Sequence, residues 1–171
     1  MPLRSLGPAG RAVALGLAVA VPASAMLVAC GGASEEERYG DSFTDVARPL
    51  TSELIDLGNA VGVATSRKQI SAALGRAEGA LETARDGFGE LDPPDAVTDS
   101  QAELLAAIKR FEREVDATRS ALRDDDDRAV GRALQDFNAE SRSFAAKLGE
   151  IGQRLEDAGI PLGAAPTSGS P

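Results

Sequence analysis

"ISAALGRAEGALETARDGFGEL", residues 70–91, carries apolar side chains at Ile70, Leu74, Ala77, Leu81, Ala84, Phe88 and Leu91. The steps alternate between four and three, which places these side chains on one stripe of an α-helix. A half-buried strand would instead alternate every second residue. A stripe kept in heptad register has to be covered by another helix. Three further rows have the same step. Phe43, Val46, Leu50, Leu54, Leu57 and Val61 form one, and Val97, Gln101, Leu104, Ile108, Phe111, Val115, Thr118 and Leu122 the next. The last holds Val130, Leu134, Phe137, Ser141, Phe144, Leu148, Ile151 and Leu155. No comparable strand alternation appears.

Punctuation between the rows agrees with this reading. "SRKQ" (66–69) and "TDSQ" (98–101) have the spacing of capping boxes. "LDPPD" (91–95) ends one helix and starts the next, because proline suits a first turn and not an interior. The acidic run 124–127 divides the third row from the fourth, and Gly159 with Pro161 ends the last helix. Pro49 either kinks the first helix or marks its start. Short connections make neighbouring helices antiparallel. The expectation is an all-α, up-down-up-down four-helix bundle over 43–158, followed by a disordered tail, 159–171.

Composition limits what such a bundle does. The chain has 171 residues, 4% aromatic and no tryptophan, so leucine, alanine and valine must build the core. Its formal charge is −9 and becomes −11 beyond residue 29, because Arg4 and Arg11 are the only charges before that point. A chain this acidic is repelled by phosphate backbones, which argues against nucleic acid as a partner. It has no histidine, which removes the commonest general base, the His-dependent nucleophile triads and the Glu-x-x-His di-metal centres of helical bundles.

The first thirty residues have a different organisation. Arg4 and Arg11 precede the apolar run "AVALGLAVAV" (12–21), and Pro22 and small residues follow. This is the layout of a secretory signal peptide, 1–29. "ASA" (23–25) would suit ordinary signal peptidase. "LVAC" (27–30), with Leu27, Val28 and Ala29 before the chain's single cysteine, Cys30, resembles the lipobox of bacterial lipoproteins. That resemblance implies cleavage before Cys30 and transfer of diacylglycerol to its sulfur, a step that needs a soft nucleophile. Further acylation of the new amino group completes a stable anchor. It places the mature chain on the extracytoplasmic face of the cell membrane, and "GGASEEERYGDS" (31–42) then reads as a flexible tether. With its "LDPP" break and amphipathic helices, the chain is similar to small helical surface lipoproteins of high-GC Gram-positive bacteria.

Other motifs yield little chemistry. "RDDDDR" (123–128) lacks the mid-loop glycine and distant glutamate of a calcium loop, and reads as a solvated turn that caps the fourth helix. Glu112 and Asp116 lie one turn apart on a face expected to meet water. Nine glycines fall inside predicted helices, each costing about 1 kcal/mol against alanine. Gly58, Gly87, Gly131 and Gly152 flank the seam, while Gly75 and Gly79 suggest a flat face for a partner helix. No catalytic residue, cofactor or metal ligand emerges. Two function classes follow: an anchored binding or accessory module for another envelope component, or a carrier or sensor of a small hydrophobic ligand or divalent cation. An apolar cavity of at least about 300 Å³ would favour the second.

Overall fold

The computed structural model describes residues 33–124 and 126–163. Four long helices follow one another: α1 (Glu35–Val63), α2 (Arg67–Gly89), α3 (Thr98–Arg123) and α4 (Asp127–Asp157), with a single 3-10 turn, Asp95–Val97, before α3. They form an all-α four-helix bundle in which α2 packs on α1, α3 on α2 and α4 on α3. The predicted seams form the core. Leu74, Ala77, Leu81, Leu104, Ile108, Val115 and Leu155 are fully buried. Few aromatics are available, and they gather in two groups. Phe43 packs on Phe88 with ring centres 4.8 Å apart, and Phe111 lies between Phe144 at 4.8 Å and Phe137 at 5.7 Å.

The caps explain why the helices begin and end where they do. The Ser66 hydroxyl accepts from the Gln69 amide, and Gln69 Oε1 accepts from the Ser66 amide, as "SRKQ" predicts. Asp126 accepts from the amides of Arg128 and Ala129, so the end of the acidic run caps α4. After α4, Gly159 takes φ +79°. Its N–H donates to the Glu156 carbonyl, and that of Ile160 to Leu155. This pair of bonds is the Schellman closure, which requires a left-handed residue and so favours glycine.

Three boundaries differ from the sequence reading. The expected tether 30–42 is helical from Glu35, so the bundle starts earlier than residue 43. "SEEE" (34–37) is itself a complete capping box: Ser34 accepts from the Glu37 amide at 3.1 Å, and the Ser34 amide donates to the Glu37 carboxylate at 2.8 Å. Three glutamates in that first turn also favour the helix dipole. Pro49 is therefore interior, not a start. It lies on the exposed side of α1, where water can take the carbonyl bond that proline cannot make. The third difference concerns the tail. Within 159–163, Ile160 is buried and Leu162 packs on the core. Residues 164–171 lie outside the described part.

"TDSQ" is not a capping box either. α3 starts without a side-chain cap, and Gln101 is buried instead. Its Nε2 donates to the carbonyls of Phe88 at 2.9 Å and Leu91 at 3.1 Å, and its Oε1 accepts from the Tyr39 hydroxyl at 2.8 Å. One side chain thereby ties α1, the end of α2 and α3 together at one end of the bundle. Burial pushes the Tyr39 hydroxyl up to about 12, because the phenolate would be poorly solvated there.

Candidate functional site

Lateral ion pairs follow three of the four sides of the bundle. Arg76 meets Glu53 between α2 and α1 at 3.3 Å, Arg85 meets Glu112 between α2 and α3 at 3.1 Å, and Arg110 meets Glu140 between α3 and α4 at 2.7 Å. Glu112 thus serves a pairing with Arg85 rather than the solvated face expected of it, while Asp116 is exposed. Among the described residues no ion pair joins α1 to α4. That side is also outside the set of closely packed helix pairs.

The α1–α4 seam is closed over only part of its length. Beyond Gly159 the chain turns back and climbs between the two helices. A methyl group on Gly40 would collide with the Pro161 carbonyl, Leu162 reaches Gly152, and the Gly163 amide donates to Thr44 Oγ1 at 3.1 Å. Ile160, Pro161 and Leu162 therefore fill the lower seam as a strap.

Above the strap the seam opens into a hollow of about 240 Å³. Leu54, Leu57, Gly58 and Val61 of α1 form one wall. Phe111, Phe137 and Phe144 form the floor, and Asn138, Ser141, Ala145 and Leu148 the wall on α4. None of these residues is charged, in a chain of which 26% is charged. The Ser141 hydroxyl is turned back onto the Phe137 carbonyl at 2.8 Å, so it offers no free donor to the hollow. Gly58 has open space where a side chain would begin. Next to it on α1, Ile55 is 53% exposed and extends the apolar surface past the rim.

Other concave surfaces have a different character. A hollow of about 380 Å³ between α3 and α4 is bordered by Glu103, Arg110, Glu140, Lys147 and Arg154. Those groups neutralise one another: Glu103 takes Arg154 at 3.0 Å and Lys147 at 3.5 Å, and its carboxyl is held below the usual range chiefly by the bond from Arg154. On the same side Glu114 is pushed up, first by burial and then by Asp136 and Glu140. Among the described residues no group of three potential ligands is placed to hold a metal ion. Within the acidic run, Asp127 pairs with Arg67 and the Asp124 carbonyl accepts from the same guanidinium at 2.9 Å.

Charge is distributed unevenly from end to end. Segments 33–41, 86–99 and 154–163, at the end where α1 starts, hold 11 acidic and 2 basic residues. Segments 56–68 and 119–132, at the opposite end, hold 5 acidic and 6 basic residues. The apolar hollow lies toward that second end.

Of the residues singled out in the sequence, Cys30, Leu27, Val28 and Ala29 lie outside the described part. No helix among the described residues is long and apolar enough to cross a membrane. The glycines divide. Gly87 lets Val46 approach to 3.0 Å of where its Cβ would stand, whereas Gly58 and Gly131 meet nothing. Gly75 and Gly79 do not make the flat open face expected of them, because the Arg119 guanidinium covers Gly75 at 3.6 Å and pairs with Glu78. The α1–α4 hollow was missed from sequence, because Leu54 and Phe137 have the spacing of ordinary core positions. Comparison with protein-family models, with curated proteins and with solved structures gives no match.

Proposed function

We propose that the chain is a lipid-anchored protein of the bacterial cell envelope, held at Cys30 on the extracytoplasmic face of the membrane. Its helical bundle acts by binding another envelope component and not by catalysis. The observation that carries the anchor is the capping box at Ser34–Glu37. The folded body begins four residues after Cys30, so a mature chain cut before that cysteine would keep the whole bundle and lose only the leader. The acidic charge of the body argues against nucleic acid as the bound component.

A second reading is favoured by the α1–α4 hollow: a carrier or sensor of a small hydrophobic ligand. At about 240 Å³ it lies below the roughly 300 Å³ at which pockets for drug-sized ligands begin, which suits a slender ligand rather than a bulky one. Intact mass measurement of the protein extracted from its own membrane tests the anchor. The expected species starts at Cys30 and carries diacylglycerol. A chain starting at Met26 without lipid refutes the proposal. A second protein or a small extra mass retained in native conditions separates the module from the carrier.

A further inference from the structure

We propose that the hollow between α1 and α4 binds the hydrocarbon chain of a single-chain lipid. This deepens the carrier reading above and takes from the envelope reading only the supply of such lipids. The first argument is chemical. All charged residues are absent from its walls, and its floor is three phenylalanines, so it favours an uncharged, apolar occupant.

The second argument is continuity along the seam. Just below the hollow, the same two helices already hold a short apolar segment, Ile160–Leu162. The space between α1 and α4 is therefore shaped for something thin and linear. The occupant of the upper part is not another stretch of peptide, however. Two amides of the strap region, those of Ile160 and Gly163, find partners in Leu155 and Thr44, whereas the hollow offers only the Asn138 side chain and the acceptor oxygen of Ser141, whose proton is engaged with Phe137. A peptide would bury N–H and C=O groups without partners, a penalty that an alkyl chain avoids.

Size gives the third argument. An apolar cavity of about 150 Å³ accepts benzene, so about 240 Å³ accommodates on the order of ten carbons. That is one chain's worth and leaves no room for the second chain of a bilayer phospholipid. The protein's own acyl groups would have to leave the bilayer completely to enter it. Leu54 lies twenty residues beyond Ser34 along α1, ~30 Å toward the opposite end.

The test uses the full chain in nanodiscs, with a twelve-carbon fatty acid bearing a diazirine near its methyl end. After irradiation, labelled peptides are mapped by mass spectrometry. The expected labels fall in the segments containing Leu54–Val61 and Phe137–Leu148. Gly58→Leu and, from the opposite wall, Ala145→Leu fill the hollow and should cut that labelling by about tenfold or more. Gly79→Leu, at an open position on α2, should leave it unchanged. Circular dichroism confirms that each variant folds. Labels spread over all faces, confined to the acidic end, or insensitive to both filling variants would overturn the proposal. Labelling that appears only after removal of residues 164–171 would overturn it as well, because the chain's own end would then be the occupant. An intact mass without diacylglycerol refutes the anchor alone and leaves this result standing.

Discussion

Gln101 offers the sharpest test of how the bundle is held, because one uncharged side chain satisfies three groups from three different segments. Replacing it by leucine keeps much of its volume and removes every polar atom. Of its partners, the Phe88 carbonyl retains the Leu91 amide at 3.4 Å, and the half-buried Leu91 carbonyl can turn to water. The Tyr39 hydroxyl, on a residue only 4% exposed, keeps nothing. A buried group left without its partner costs about 1–3 kcal/mol, so Gln101→Leu, which strands the one hydroxyl, should cost about 1–3 kcal/mol. Tyr39→Phe removes the stranded hydroxyl while Gln101 keeps both of its carbonyls, and should cost about 1 kcal/mol. In the double variant the hydroxyl is no longer there to be stranded. Its cost should fall short of the summed single costs by about 1 kcal/mol or more. Urea unfolding followed by far-ultraviolet circular dichroism measures all four corners of this cycle. If Gln101→Leu unfolds within about 0.5 kcal/mol of the parent, or if the two changes simply add, the three-way tie is not what joins α1, α2 and α3 at that end.

Ser34→Ala should weaken the start of α1 by about 1 kcal/mol and speed amide exchange at residues 35–38, with little change in the core. Tyr39 ionises near 10 when unfolded and near 12 when folded, so the folded state holds its proton more tightly. Stability should therefore be fully present below pH 10 and fall as pH rises from 10 to 12, by at most about 2.7 kcal/mol, and Tyr39→Phe should flatten that part of the curve. Thermal melts should separate two glycines. Gly58→Ala, with open space around it, should gain up to about 1 kcal/mol in helix propensity. Gly40→Ala drives a methyl group into the Pro161 carbonyl and should lose more than that. Equal shifts in one direction would refute the strap's close approach.

The rows through Leu74, Leu104 and Phe137 were legible because burial in a bundle depends on spacing, and spacing is written in the sequence. Local caps were legible where a lone box stood before an apolar row, as at Ser66. "SEEE" carries the same signal, but it sits among glycines and charges, which together read as tether. There the capping chemistry wins because Tyr39 and Phe43, one and two turns further on, give the helix something to bury. "TDSQ" failed in the other direction. Gln101 is at a core position of α3, and the Phe88 and Leu91 carbonyls at the end of α2 had room for a further donor, so the amide went inward to them instead of back to the cap. Nothing local could have exposed the hollow. It exists because α1 and α4 are not among the closely packed helix pairs and the strap fills only the lower part of the seam between them. That is a relation between Gly40 and Pro161, more than a hundred residues apart.

The short connection between Cys30 and α1 bears on how an anchored form would work. Gly31, Gly32 and Ala33 span at most ~10 Å, against the on-the-order-of 20 Å expected of a twelve-residue tether. In the proposed anchored protein the acidic end of the bundle, with 11 acids and 2 bases, would thus be kept near the headgroups. Anionic lipids would repel that end within a screening distance of about 8 Å, and a connection this short would favour a bundle standing upright on it. The apolar hollow would then be ~30 Å up α1, clear of the hydrocarbon that competes for any alkyl chain. An apolar site lying against a bilayer would lose its ligand to that much larger apolar phase. Held at the far end of a charged bundle, it can retain one.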